Sequence, residues 1–152
     1  TLVHGAVIGG GNGITAASDI VLAEKDTVFA FSEVKLGLTP ATISPFVIAR
    51  CGEAPARDLM LSGRKFTAQE AREYKLVNFV GDIDAINQRL DFYIDNYLKA
   101  SPDAIRDCKH LIRNVGGISN PYSSVFDMTA QLIAQERMSD DAQERMREFL
   151  KI

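Results

Sequence analysis

The chain has no tryptophan and only two cysteines among its 152 residues. Cys51 and Cys108 stand apart, with no CxxC spacing and no nearby His in a ligand pattern. A disulfide scaffold and a structural zinc site are therefore disfavoured, and a reducing cytoplasm is the compartment expected. No apolar run approaches the roughly 20 residues that span a bilayer. A signal-peptide pattern is also missing. Neither sign of charge dominates, since 17 Lys and Arg meet 20 Asp and Glu for a net −3. That balance gives no electrostatic reason to expect nucleic acid or an anionic membrane as the main partner. Histidine is scarce: His4 falls in a strand pattern and His110 on a charged helical stretch beside Lys109. No Ser/Cys–His–Asp arrangement or GxSxG elbow is legible, and metal ligands are too dispersed for a site.

What is present describes a globular chain, 46% hydrophobic and 24% charged, long enough for one ordinary domain. It opens Thr-Leu-Val-His-Gly, without Met and almost at once in a strand pattern, which suggests part of a longer polypeptide. Charge rises along the chain, from 7 charged residues in 1–50 to 15 in 101–152. The first third reads as a buried, Gly- and β-rich layer. Leu2–Ile8 is a strand pattern cut off by Gly9-Gly10-Gly11, and 12–18 follows as a helix. Segments 20–23 and 28–31 are two more strands around a polar turn, so the class is α/β.

Helices take over after Ser44. Thr67-Ala68-Gln69-Glu70 is a capping box, and Ser101-Pro102 and Asn120-Pro121 each place a capping side chain before a first-turn proline. Ile86, Leu90, Tyr93, Ile94 and Tyr97 form an apolar stripe. Val125, Thr129, Leu132 and Ile133 form a second, and Ala142, Met146, Phe149 and Leu150 a third. So many stripes on a short chain suggest a partner subunit.

Two features could carry chemistry. Glycines between strand and helix let the backbone approach a ligand, and the helix start behind them offers free N–H groups and a positive dipole end. A phosphate or an oxyanion would suit such a turn; so would plain tight packing. No Gly-Lys-Ser/Thr follows, and Ile14 stands where the dinucleotide fingerprint needs its last glycine. The second feature is Glu33. If 28–32 is extended, Glu33 shares a face with Phe29 and Phe31, and desolvation by those rings would raise its pKa. A surface glutamate paired with Lys35 is the plainer reading of the residues alone.

The run Val3-His-Gly-Ala-Val-Ile-Gly-Gly-Gly-Asn-Gly-Ile-Thr-Ala-Ala-Ser-Asp19 resembles the signature of the enoyl-CoA hydratase/isomerase (crotonase) superfamily. Phe31-Ser-Glu-Val-Lys-Leu-Gly-Leu-Thr-Pro40 resembles its second block, and 58–71 with Leu76-Val77 its third. The resemblance implies a β-β-α spiral, of which 1–98 would be the carboxyl-terminal part of the core and 99–152 a helical oligomerisation region. A homotrimer, or a dimer of trimers, is implied with it. So is an acyl-CoA substrate, with CoA carried by the substrate and no separate cofactor or metal.

By the same resemblance Glu33 is the catalytic acid/base and Gly10 gives one oxyanion-hole amide. A segment before residue 1 gives the other amide and most of the CoA surface. The amide of Ala41 matches a water-positioning site. One departure stands out: Gly13 replaces the first of the two glutamates usual in hydratases of the family. It would leave room for a branched acyl group or a substrate carboxylate. The run 31–48 is most similar to methylglutaconyl-CoA and isohexenylglutaconyl-CoA hydratases, and resembles the decarboxylating and dehydrating homologues of polyketide β-branching. A hydratase of branched, glutaconyl-type enoyl-CoA is thus the expectation. A Δ3,Δ2-enoyl-CoA isomerase, or a non-catalytic subunit of the same fold, is the alternative.

Overall fold

Gly5 divides the first apolar run. Its φ of +67°, open to glycine at little cost, turns the chain between β1 (Leu2–Val3) and β2 (Ala6–Ile8) where one continuous strand was expected. The two pieces enter different sheets. The computed structural model describes residues 1–115 and 122–150. After β2 comes helix α1 (Gly10–Ala17), and the pattern then recurs as β3 (Leu22–Glu24) and β4 (Val28–Ala30). Leu2 pairs with Leu22 and Ala6 with Val28, both in parallel. Each turn therefore contributes one strand to each sheet and stacks on the turn before it.

The rest of the chain completes both sheets. Two 3-10 turns (Glu33–Leu36 and Ala41–Ile43) lead to α2 (Ser44–Cys51) and α3 (Glu53–Ser62). β5 (Lys65–Thr67) joins β4 antiparallel and, after α4 (Ala68–Glu73), β6 (Phe79–Gly81) joins β3 in parallel. The orders are β1-β3-β6 and β2-β4-β5. Helices α5 (Ile83–Leu98), α6 (Pro102–Val115), α7 (Tyr122–Arg137) and α8 (Asp140–Leu150) follow. None of the helices among the described residues is long and apolar enough to cross a membrane.

Aromatic packing fills the core. The Phe66 ring stacks on Phe29 at 5.4 Å and on Phe31 at 5.9 Å, with all three side chains buried. Val21, Val47, Leu59 and Leu76 close around them. Arg50 ties the layers at one edge. Its guanidinium donates to the carbonyls of Leu76 and Ser18 and to Asn78 Oδ1, which also accepts the Val21 amide at 2.8 Å. The Cys51 thiol is pushed up to about 11 by burial and so packs as a neutral group.

The capping signals read in the sequence are present where described. Thr67 and Glu70 form the reciprocal box, and Ser101 Oγ accepts the Ala104 amide at 3.4 Å with Pro102 opening α6. The Asn120-Pro121 pair and the Val125 side chain lie outside the described residues. The apolar stripes are covered only in part. Ile86, Thr129 and Ala142 are buried, but Leu90, Ile94, Tyr97, Leu132 and Phe149 are exposed within the chain.

Replacing Phe66 by Ala removes the middle ring of the stack. We expect a loss of about 3–5 kcal/mol in denaturant unfolding; a loss below about 1 kcal/mol would mean that the stack is not part of the stabilising core.

Candidate active site

Gly9 sets the geometry of the site. Its φ of +54° and ψ of −121° belong to a region that a side chain resists, and it caps α1. The Gly9 amide donates to the Ala30 carbonyl at 3.1 Å, which binds the glycine turn to the end of β4. Gly10 is then the first helical residue, and its N–H is one of the amides that have no intrahelical acceptor. A Cβ at Gly10 would meet nothing within 4 Å, so open space lies beside this amide.

Asn12 supports the turn from behind. It is fully buried, and its Nδ2 donates to the Ala30 carbonyl at 2.8 Å and to Val7 at 3.3 Å. Its Oδ1 has no protein donor. No motif in the sequence marks Asn12; its one signal is an amide side chain set among small and apolar residues at a helix start.

Glu33 reaches the same place by a route the sequence pattern did not give. β4 ends at Ala30, and Glu33 begins a 3-10 turn closed by Gly37, whose φ is +69°. Phe29 and Phe31 go into the core, so the period of a strand does not place the carboxyl group on their face. Instead it comes alongside the glycines: a Cβ at Gly9 would lie 3.5 Å from Glu33 Oε1. Burial raises the Glu33 pKa above the ordinary glutamate value, opposed by a hydrogen bond with its own backbone. Oε2 is buried without a protein partner. The shift has the expected direction, but the carboxyl group is buried beside the glycine turn and not along a strand face shared with the two rings.

Ala41, buried, begins the second 3-10 turn after Pro40. The turn is tied internally by the Ser44 amide donating to Pro40 and Ser44 Oγ donating to Ala41. Its other member, Ile43, overturns one expectation. A Cβ at Gly13 would fall into the Ile43 methyl group and 2.9 Å from the Ile43 Cβ. Gly13 is itself buried, so it makes room for an isoleucine and not for substrate. His4 and His110 are both exposed, and neither is part of this cluster.

A glycine turn offering a helix-start amide, with a desolvated carboxyl group beside it, is suited to holding an oxyanion while a proton is moved. The enoyl-CoA hydratase/isomerase family model matches residues 1–151, and the chain belongs to that family. A Thermus thermophilus protein with a provisional enoyl-CoA hydratase name is 28% identical over 98% of this chain. An enoyl-CoA hydratase of Alternaria alternata is 38% identical over 73% of this chain and 38% of its own length. A solved enoyl-CoA hydratase/isomerase from Pseudoalteromonas atlantica superposes with a TM-score of 0.87, covering 99% of this chain at 26% identity. The fold is therefore crotonase-like. The chain spans 58% of the Thermus relative and 60% of the solved one.

Two outcomes follow from this packing. Gly13→Ala should destabilise by about 1–3 kcal/mol through overpacking, and adding Ile43→Ala should recover part of the loss. Additive losses in the double variant would mean that the two residues do not share the space. The second concerns Glu33. A raised folded pKa means that Glu33 stabilises fully below its unfolded value, about 4.3, and loses that contribution as pH rises through the folded value. Glu33→Gln should therefore melt higher than the parent near pH 8, with a gap that closes towards pH 4. A variant that melts lower at pH 8 would contradict the burial of this carboxylate.

Proposed function

We propose that the protein containing this chain is an enoyl-CoA hydratase that adds water to a 2-enoyl-CoA thioester with Glu33 as its acid/base. The observation that carries this reading is the half-buried carboxyl of Glu33, with its pKa raised, set against the glycine turn that presents the Gly10 amide. Attack on a conjugated thioester throws charge onto the carbonyl oxygen, and a fixed amide aimed there lowers the barrier by about 3 kcal/mol. In this scheme Gly10 N–H holds the oxygen, and the Ala41 amide orients the water. Glu33 takes a proton from the water as its oxygen bonds to the β-carbon. The same carboxyl then returns that proton to the α-carbon. The sum is one water added across the double bond. A carboxyl with a raised pKa is suited to both transfers near neutral pH.

CoA enters as part of the substrate, and the scheme needs no separate cofactor or metal. Residues 99–152 act as the oligomerisation region of a trimer or a dimer of trimers, an assembly supported by the exposed Leu132 and Phe149. A branched acyl chain stays the substrate class that the similarity of 31–48 suggests. Its room must lie elsewhere than at Gly13.

One observation favours a second reading. Ile43 makes the corner beside Gly13 apolar, so Glu33 has no second carboxylate there to help bind water. A Δ3,Δ2-enoyl-CoA isomerase needs only one base, which would move a proton from the 2- to the 4-position.

The full-length protein should be incubated with a 2-enoyl-CoA and with a 3-enoyl-CoA. Hydration removes the conjugated absorbance of the first and adds the mass of water; isomerisation leaves the mass unchanged. Glu33→Gln should lower turnover by a factor of about 100 or more, as for loss of a general acid/base. Near-normal turnover in that variant would remove Glu33 from the reaction.

A further inference from the structure

The two parts of the candidate site beyond the glycines, Glu33 and Ala41, lie on consecutive 3-10 turns joined by 37–40. That joint has few ways to be held. The Leu38 amide closes back on the Glu33 carbonyl at 3.1 Å, and Pro40 has no N–H. Thr39 is left as the backbone donor through which the surrounding structure can grip the joint. It is gripped from far away in sequence. The Thr39 amide donates to Glu136 Oε2 at 2.7 Å, and Thr39 Oγ1 donates to the same oxygen at 2.9 Å, across a separation of 97 residues.

Glu136 sits near the end of α7, which packs along the Ala41–Ile43 turn, while α8 packs against the Glu33–Leu36 turn. The fit on the α8 side is close. A Cβ at Gly37 would come 2.8 Å from Asp141 Oδ2 and 3.2 Å from the Cα of buried Ala142. The carboxyl-terminal helices thus do more than extend the fold. They brace the two turns from outside, and one carboxylate is bonded directly to the residue between them.

We propose that Glu136 is a positioning residue. Through Thr39 it fixes the Ala41 amide relative to the Glu33 carboxyl group, and so makes turnover depend on how α7 is seated. The inference rests on the acid/base reading of Glu33. Hydrogen bonds to a carboxylate are about twice as strong as neutral ones, and both donors of Thr39 use one. A displacement of about 1 Å in a reacting group can cost 10²-fold in rate, so a modest slip of this joint would be felt in kcat.

The test uses the full-length enzyme and compares Glu136→Ala, Glu136→Gln and Thr39→Val. Glu136→Ala should lower kcat by about 10-fold or more with KM changed by less than about threefold, because alignment and not binding is lost. Glu136→Gln keeps an oxygen acceptor and should retain about half or more of the parental kcat. Thr39→Val removes the hydroxyl but keeps the amide, and should fall between the two. Amide hydrogen exchange across 37–43 should speed up in the Ala variant and stay near the parental rate in the Gln variant. If Glu136→Ala does not fold, the Thr39→Val and Glu136→Gln pair supplies the same comparison.

A folded Glu136→Ala enzyme with kcat within about twofold of the parent, whatever its melting temperature, overturns the role and leaves Glu136 as a structural brace. A Gln variant as slow as the Ala variant overturns it also. The parent's own activity separates this from the proposed reaction. An active parent with indifferent variants removes Glu136 alone, whereas a parent inactive on both enoyl-CoA substrates removes the reaction and, with it, this role.

Discussion

The carbonyl of Ala30 is the point on which the site depends. It accepts the Gly9 amide at 3.1 Å and Asn12 Nδ2 at 2.8 Å, and so joins the end of β2, the start of α1 and the end of β4. Gly10 lies one residue beyond one arm of that junction and Glu33 three residues beyond another. The pairing of Ile8 with Ala30 brings the two segments side by side, and these bonds tie the glycine turn itself to the strand end that leads to Glu33. A buried amide side chain is costly unless bonded, so the two bonds of Asn12 also specify one arrangement of the turn over others.

The sheets make that junction possible. Because each turn of chain lays one strand on each of two sheets in parallel, β2 and β4 end side by side, Ile8 opposite Ala30. Strand ends that coincide place the loops that follow them together. Parallel pairing needs a crossover element, and α1 is that element here. The helix whose first amides face the site is therefore also the connection that brings the next strand into register. Beneath this, the stacked rings of Phe29, Phe31 and Phe66 fix β4 to β5 and keep the strand end from shifting.

The same economy explains Gly13. At that helix position a second carboxylate would need a space that the Ile43 side chain occupies: a Cβ there would lie 2.9 Å from the Ile43 Cβ, whereas the Ile43 Cα stays at 3.8 Å. In the proposed reaction the acid/base work then falls to one half-buried carboxyl, Glu33, whose Oε2 faces no protein donor. A packing contact would thus shape that chemistry as much as the side chain proposed to carry it.

Local physics made part of this legible from residues alone. The Gly9 turn, the Thr67–Glu70 cap, the Pro102 helix start and the α/β alternation each depend on a few consecutive residues, and each is legible in their order. The block 31–40 likewise singled out Glu33 through resemblance. Other features joined residues distant in sequence and could not be read so. Gly5 split a continuous apolar run because the two sheets, not the run's own hydrophobicity, decided where each half paired. Glu33 left the strand period because β4 ended at Ala30, and its carboxyl found Gly9 instead of the phenyl face. Ile43 against Gly13 and Glu136 against Thr39, the latter 97 residues apart, follow from how helices settle on turns. Periodicity and capping act over one or two turns of chain and are written in the order of residues. Which side chain fills a gap, or reaches across one, is set by close packing among segments that the sequence places far apart.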